Sequence, residues 1–210
     1  MTAFVSIAAD GADAARVALE RTIGSGGVAL FPADGLYGLA CDPMSEDAIA
    51  RIHSLKGRDN GKPSAVLFFS PLIMRELIAD FGERTRAALA ALLPGPVTAV
   101  VHNPADRYPL ACRSDPQRLG VRLIDGPLAG AATPIFQTSA NLSGKPAPAR
   151  VEDMPEAIAA NADLVIDGGE LTGAPSTVVD LVALEYGGRW EILRVGGMDP
   201  AEVDRRLSPV

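Results

Sequence analysis

The chain has 210 residues, of which 48% are apolar and 21% charged, and its formal net charge is −7. This composition excludes intrinsic disorder as the main state, and a chain of this length can bury about 70% of its unfolded surface without metal or disulfide crosslinks. The acidic charge argues against a protein whose main task is to coat nucleic acid, because phosphate neutralisation needs clustered Lys and Arg.

Cysteine content and apolar patterning bear on the compartment. Cys41 and Cys112 are the only cysteines, and their spacing fits neither a disulfide framework nor a zinc site. The first residues lack a signal-peptide pattern, and no stretch reaches the roughly 18 apolar residues of a membrane span. We therefore expect a cytoplasmic protein with no membrane partner.

Strand-like and helix-like patterns alternate along the chain, which is typical of an α/β fold. The predicted strands cover residues 3–8, 28–31, 65–69, 97–101, 118–123, 135–138, 163–166, 177–182 and 190–195. The predicted helices cover residues 10–23, 45–56, 83–93, 127–132 and 155–160, with another beginning at Pro71 and a short one near the C-terminus. No linker divides the pattern, so we predict one domain over residues 1–210.

Three details of this pattern are specific enough to test. Asp10 and Ser45 are the expected N-caps of the first two helices. Residues 32–38 are rich in turn formers and are predicted to be a loop. His53 is expected on the flank of the second helix and His102 at a strand end, both in structural roles.

A basic cluster follows the second predicted helix and consists of Lys56, Arg58 and Lys62. Basic residues at a helix C-terminus interact favourably with the helix dipole, which is one explanation. The other is a polyphosphate site, in which Lys supplies a point charge and Arg a planar fork. Spacing alone does not separate the two.

Two further polar clusters follow predicted strands, where open α/β sheets usually bind ligands. Residues 138–145 combine hydroxyl and amide groups, and residues 167–177 combine glycines with Ser176 and Thr177. Each residue alone is explained by a turn, whereas together they resemble the lining of a pocket. Arg118 and Arg122 alternate with apolar residues, so both are expected on one face of a strand.

Motifs for covalent hydrolysis, dinucleotide binding and metal ligation are missing from the sequence. The polar clusters therefore favour an enzyme that positions anions, as in adenylyl or phosphoryl transfer, where orientation and charge neutralisation carry most of the catalysis.

Taken in chain order, these clusters resemble the YrdC-like family over most of the chain, from Gly27 to Gly197. The matching motifs are residues 32–39, Lys56-Gly57-Arg58 with Lys62-Pro63, residues 93–98, Gly120-Val121-Arg122, residues 138–144, residues 176–180 and Ile192-Leu193-Arg194.

The resemblance implies a twisted mixed α/β sheet with flanking helices around a deep, positively charged cavity. It also implies a short-form threonylcarbamoyl-AMP synthase that uses L-threonine, bicarbonate and ATP and releases pyrophosphate. Mg²⁺ would arrive with ATP, with no tightly bound metal ligated by the protein. The product would pass to separate transferase proteins that modify adenosine 37 of tRNA.

The resemblance further implies roles for individual residues. Lys56 and Arg58 would be catalytic. The residues expected to bind ATP are Arg58, Lys62, Asn141, Arg194 and Arg118, although a solvated surface position is an equal alternative for Arg118. The residues expected to bind threonine are Arg122, Ser139, Ser176 and Gly35.

One departure bears on the substrate. Ala33 and Gly35 stand where the family usually has threonines, and the second of these normally touches the amino acid. A lost hydroxyl contact costs about 0.5–1.5 kcal/mol, so we expect Gly35→Thr to lower the KM for threonine. Two alternatives stay open: a paralogue acting on another amine or carbamoyl donor, and a module that binds RNA directly.

Overall fold

A computed structural model describes residues 2–57 and 62–210 of the chain and confirms the mixed α/β class. The strands are β1 Ala3–Ser6, β2 Ala29–Ala33, β3 Leu36–Cys41, β4 Ala65–Phe68, β5 Val97–His102, β6 Arg118–Leu123, β7 Ile135–Ser139, β8 Leu164–Asp167, β9 Thr177–Asp180 and β10 Glu191–Arg194. The helices are α1 Ile7–Asp10, α2 Ala12–Gly24, α3 Glu46–Lys56, α4 Pro71–Ile78, α5 Glu83–Leu92, α6 Pro109–Cys112, α7 Glu156–Ala159 and α8 Pro200–Leu207, with a 3₁₀ helix at Val182–Tyr186.

All ten strands formed by the described residues lie in one sheet, in the order β1-β8-β2-β3-β7-β4-β6-β5-β9-β10. The sheet is mixed, because β4 pairs in parallel with β6 whereas β3 and β4 both pair antiparallel with β7. At the centre of the sheet, β3, β7, β4 and β6 are neighbours although none of these adjacent pairs is consecutive in the sequence. Side chains that are far apart in sequence meet there.

The two faces of the sheet carry different side chains, and β6 shows the division. Leu119, Val121 and Leu123 belong to the larger apolar core. Because side chains alternate along a strand, Arg118 and Arg122 lie on the opposite face, as predicted. That face is covered by a smaller apolar core toward β1 and β2, and by a cavity over β5, β6 and β9.

The structure corrects the predicted start of the first long helix. The strand ends at Ser6 and a short helix intervenes, so α2 begins at Ala12. Asp10 does not cap α2; its carboxylate accepts a hydrogen bond from the Ser6 amide at 2.8 Å. In contrast, Ser45 caps α3 as predicted, since its hydroxyl oxygen accepts from the Ala48 amide at 3.3 Å.

The predicted loop at residues 32–38 is a β-hairpin instead. Strands β2 and β3 pair antiparallel with Ala33 opposite Leu36, so only Asp34 and Gly35 form the turn. The strand residues of this segment include Pro32 and Gly38. Because both residue types are depleted in strands, the sequence pattern did not indicate the β2–β3 pairing. The hairpin brings the turn to the rim of the cavity, which is lined by Ala33 and Leu36.

Two other predictions are wrong. Residues 127–132 form turns rather than a helix. His53 is fully buried rather than on a flank, with its ring centroid 5.9 Å from that of Phe136. Within the described part of the chain, no helix is long and apolar enough to cross a membrane.

Candidate functional site

A cavity of about 690 Å³ lies over the face of the sheet that carries the two β6 arginines. Its wall combines residues from strands on both sides of β6 with the loops after β7 and before β9. The predicted site residues that line it are Arg118, Arg122, Ser139, Asn141, Ser176 and Arg194. The cavity therefore brings together six side chains from four separate segments of the sequence.

Arg122 is the most buried cation of this lining, with 4% of its surface exposed. One Nη atom donates to Gln137 Oε1 at 3.1 Å, and the other pairs with Asp34 Oδ2 at 3.2 Å. The Nε–H is buried and has no hydrogen-bond partner among the described residues. Burial lowers the pKa of Arg122 to about 10, Asp34 opposes this effect, and the charge of Arg194 adds to it.

Arg194 and Ser176 form a second polar group on the opposite wall. Both Nε and Nη2 of Arg194 donate to the Ser176 carbonyl oxygen, at 3.2 and 2.8 Å. The Ser176 hydroxyl lies 2.8 Å from the Thr98 hydroxyl and 3.1 Å from Arg194 Nη2. Burial also lowers the pKa of Arg194, so a ligand anion here would be bound in a partly desolvated setting.

Arg118 lines the cavity, which favours the site over the solvated-surface alternative, but its charge is already paired. Its guanidinium contacts Asp180 and lies 3.3 Å from Asp115. An arginine held by two carboxylates has less charge to offer a phosphate than Arg122 or Arg194. Its proposed contact with ATP stays a prediction.

Lys56 does not line the cavity and is buried at the end of α3, with 3% of its surface exposed. Its ammonium group donates to the Ser139 carbonyl, to the Asn141 carbonyl at 2.9 Å and to Asn141 Oδ1 at 3.1 Å. In return, the Ser143 amide donates to the Lys56 carbonyl at 2.8 Å. The lysine thus holds the loop after β7 in place, and its catalytic role stays a prediction.

Gly35 lies behind the cavity wall rather than on it. The 172–176 segment packs against it, and the Gly173 amide donates to the Gly35 carbonyl at 2.8 Å. An ideal Cβ at position 35 would lie 2.6 Å from Thr172 Oγ1 and still closer to the Ala174 carbonyl oxygen. The structure therefore argues against the expected benefit of Gly35→Thr, because no room exists for that side chain.

Two predicted residues of the basic cluster remain, Lys62 and Arg58. Lys62 is exposed and is followed by Pro63, which lines the cavity. Arg58 lies outside the described residues. Within residues 2–57 and 62–210, no group of three or more His, Cys, Asp and Glu side chains is placed to hold a metal ion.

Four residues of the site had no individual role in the sequence analysis, although Asp34, Thr98 and Lys145 lie in segments quoted there. Gln137 and Thr98 are polar residues that follow apolar residues within predicted strands, and this change in the pattern was the available signal. Lys145 lines the cavity and belongs to the hydroxyl-rich cluster after β7. Asp34 lies in the quoted motif of residues 32–39, but an aspartate in a turn is ordinarily explained by the turn itself.

Comparison with known proteins adds a family match to this geometry. The Sua5/YciO/YrdC family model, described as telomere recombination, matches residues 21–196. Threonylcarbamoyl-AMP synthase of Pyrococcus abyssi is 28% identical over 200 residues, covering 90% of this chain and 56% of the relative. The synthase of Pseudomonas paraeruginosa is 33% identical over 168 residues, covering 77% and 90%. The chain thus spans about half the length of the Pyrococcus relative and most of the Pseudomonas one.

Solved structures agree in fold. Sua5 of P. abyssi in complex with L-threonine superposes with a TM-score of 0.83 at 27% identity, covering 98% of this chain and 60% of that one. YciO of Escherichia coli superposes with a TM-score of 0.81 at 21% identity, covering 97% and 100%.

Proposed function

Since the chain belongs to the Sua5/YciO/YrdC family, we propose that it is a nucleotidyltransferase that makes threonylcarbamoyl-AMP from L-threonine, bicarbonate and MgATP. The observation that carries the proposal is the joining of Arg122, Arg194 and Ser176 in one cavity. Relatives of similar sequence carry the name of this synthase, and one related structure holds L-threonine.

The proposed reaction needs no protein nucleophile. Threonine first releases its ammonium proton to solvent, the neutral nitrogen then attacks the carbon of bicarbonate, and loss of water gives a carbamate. A carbamate oxygen then attacks the α-phosphorus of ATP, the bond from that phosphorus to the bridging oxygen breaks, and pyrophosphate leaves. The protein contributes by holding three reactants together and by offsetting their negative charge.

The charges of the cavity suit this task. Arg122 is the proposed ligand of the threonine carboxylate, since a guanidinium binds a carboxylate through two parallel hydrogen bonds. Arg194, with Lys62 and Arg118, is the proposed ligand of the nucleotide, and Mg²⁺ arrives with ATP. Ser139 and Ser176 supply hydroxyl groups beside these cations.

The product is a mixed anhydride, so we further propose that a separate transferase receives it and modifies adenosine 37 of tRNA. We also propose a cytoplasmic site of action. In its support, Cys41 and Cys112 are buried as free thiols, the state that reducing compartments maintain.

Mass spectrometry of the purified protein with MgATP, bicarbonate and each common amino acid tests the proposal. We expect a carbamoyl-adenylate and pyrophosphate with L-threonine, and loss of both in Arg122→Gln. The matched control is Arg107→Gln, because Arg107 is also paired with an aspartate, Asp80, but lies outside the cavity. Product with a different amino acid alone would identify a paralogue, and no adenylate with any amino acid would refute the proposal.

A further inference from the structure

Asp34 has a positive backbone φ angle, which few non-glycine residues adopt. It is the first of the two turn residues between β2 and β3, and its φ angle is +78°. Non-glycine residues with positive φ are uncommon, and such strain persists where the surroundings fix it, often at functional sites. The 172–176 segment packs against Gly35, the second turn residue, and so holds the turn in place.

The carboxylate of Asp34 is directed at the buried cation of the cavity. It lies 3.2 Å from Arg122, and 30% of its side chain is exposed. Asp34 is not itself a lining residue, but it lies between Ala33 and Leu36, which line the rim of the cavity. A guanidinium has five N–H donors, of which Asp34 and Gln137 each take one. The Nε–H is buried, so the donors that remain for a ligand are the second N–H groups of the two Nη atoms of Arg122, which lines the cavity.

The charges of this pair restrict which ligand fits. A carboxylate that binds Arg122 comes close to the carboxylate of Asp34, and like charges a few ångströms apart repel each other. A cation on the ligand, close to its carboxylate, removes this repulsion. An α-amino acid carries an ammonium group on the carbon next to its carboxylate, whereas bicarbonate and simple organic acids carry no cation.

We propose that Asp34 is a specificity-determining residue that binds the α-ammonium group of the amino acid whose carboxylate binds Arg122. That this amino acid is threonine follows from the proposed function, on which this part of the inference rests. That the ligand is a zwitterionic α-amino acid follows from the Asp34–Arg122 geometry alone. Burial raises the pKa of Asp34 while Arg122 opposes the shift, so a second cation beside it is favourable.

Calorimetric titration with two ligands tests the role of the ammonium group. The ligands are L-threonine and 3-hydroxybutyrate, which is threonine with hydrogen in place of the amino group. We expect the wild-type protein to bind L-threonine at least about tenfold more tightly. We expect Asp34→Asn to weaken the binding of L-threonine by about tenfold. The binding of 3-hydroxybutyrate is expected to be unchanged or tighter, so that the ratio of the two Kd values approaches one.

The ratio separates recognition from support of Arg122. If Asp34 only held the arginine in place, Asp34→Asn would weaken both ligands equally and leave the ratio unchanged, which would overturn the inference. Asparagine tolerates positive φ, so the variant keeps the turn. The control is Asp80→Asn, which removes an aspartate paired with Arg107 outside the cavity and leaves both affinities unchanged.

Two results need no variant. Equal affinity of the wild-type protein for both ligands overturns the inference, as does failure of all common α-amino acids to bind. If another α-amino acid binds with the expected ratio and threonine yields no adenylate, the proposed function fails while the role of Asp34 stands.

Discussion

Replacing Gly35 by alanine tests whether the 172–176 segment must pack directly on the β2–β3 turn. The new Cβ would lie 2.6 Å from Thr172 Oγ1, where real contacts of this kind essentially never come below 3.0 Å. The threonine side chain can rotate away. The Ala174 carbonyl cannot, because it is backbone and the neighbouring Gly173 amide is bonded to the Gly35 carbonyl at 2.8 Å.

The expected cost follows from these two contacts. Overpacking of a tight site costs about 1–3 kcal/mol, and loss of the hydrogen bond adds about 0.5–1.5 kcal/mol. We therefore expect Gly35→Ala to lower the free energy of unfolding by about 2–4 kcal/mol. Because the displaced segment carries Ser176 to the cavity wall, ligand affinity falls as well.

Urea unfolding followed by Trp190 fluorescence measures the loss. The control is Gly24→Ala at the last residue of α2, where a Cβ meets nothing within 4 Å and φ is not left-handed. That substitution is expected to be neutral or to stabilise by up to about 1 kcal/mol. An unchanged midpoint for Gly35→Ala, or a lower threonine KM for Gly35→Thr, would refute the packing argument.

Three further substitutions test other parts of the structure. Lys56→Met leaves the loop carbonyls after β7 without their buried donor, so it should destabilise by about 1–3 kcal/mol in urea unfolding. Tyr37→Phe removes a fully buried hydroxyl bonded to the Gly169 carbonyl at 2.9 Å, with a similar loss of about 1–3 kcal/mol. Asp163→Asn should reduce the acid sensitivity of stability, as measured by unfolding between about pH 5 and pH 2.

The sign for Asp163 follows from its partner. The hydrogen bond from Arg51 lowers the pKa of Asp163 below its ordinary value of 3.8. The carboxylate therefore stabilises the folded state above that value, and this contribution disappears as the pH falls through the lowered pKa. An equal acid loss in wild type and Asp163→Asn contradicts this reasoning. For Lys56→Met and Tyr37→Phe, a urea midpoint equal to that of the wild-type protein contradicts the expected loss of stability.

Regular periodicity made much of the fold predictable. The alternation in β6 placed Arg118 and Arg122 on one face, and Ser45 marked the start of α3, because both signals act over a few neighbouring residues. The β2–β3 hairpin was missed because its evidence is long-range: Pro32 and Gly38 become strand residues only through pairing with each other's strand.

The cavity was predictable as a set of residue types and not as a set of contacts. Arg122, Arg194 and Ser176 were identified, but their partners Asp34, Gln137 and Thr98 come from other segments of the chain, and no local pattern specifies these pairs. Lys56 shows the same limit. A lysine at the end of a helix reads as a free cation, and only the fold reveals the loop carbonyls that surround it.

The strand order of the sheet also determines when the cavity can exist during synthesis. Strand β9 lies between β5 and β10 in the sheet. Ser176 directly precedes β9, and Arg194 is the last residue of β10; both line the cavity. A nascent chain that has emerged only through β8 therefore lacks one wall, and its long-range strand pairs form slowly. A cavity ligand consequently adds its binding free energy only to the completed sheet. Ligand affinity is thus a direct measure of whether β9 and β10 have docked.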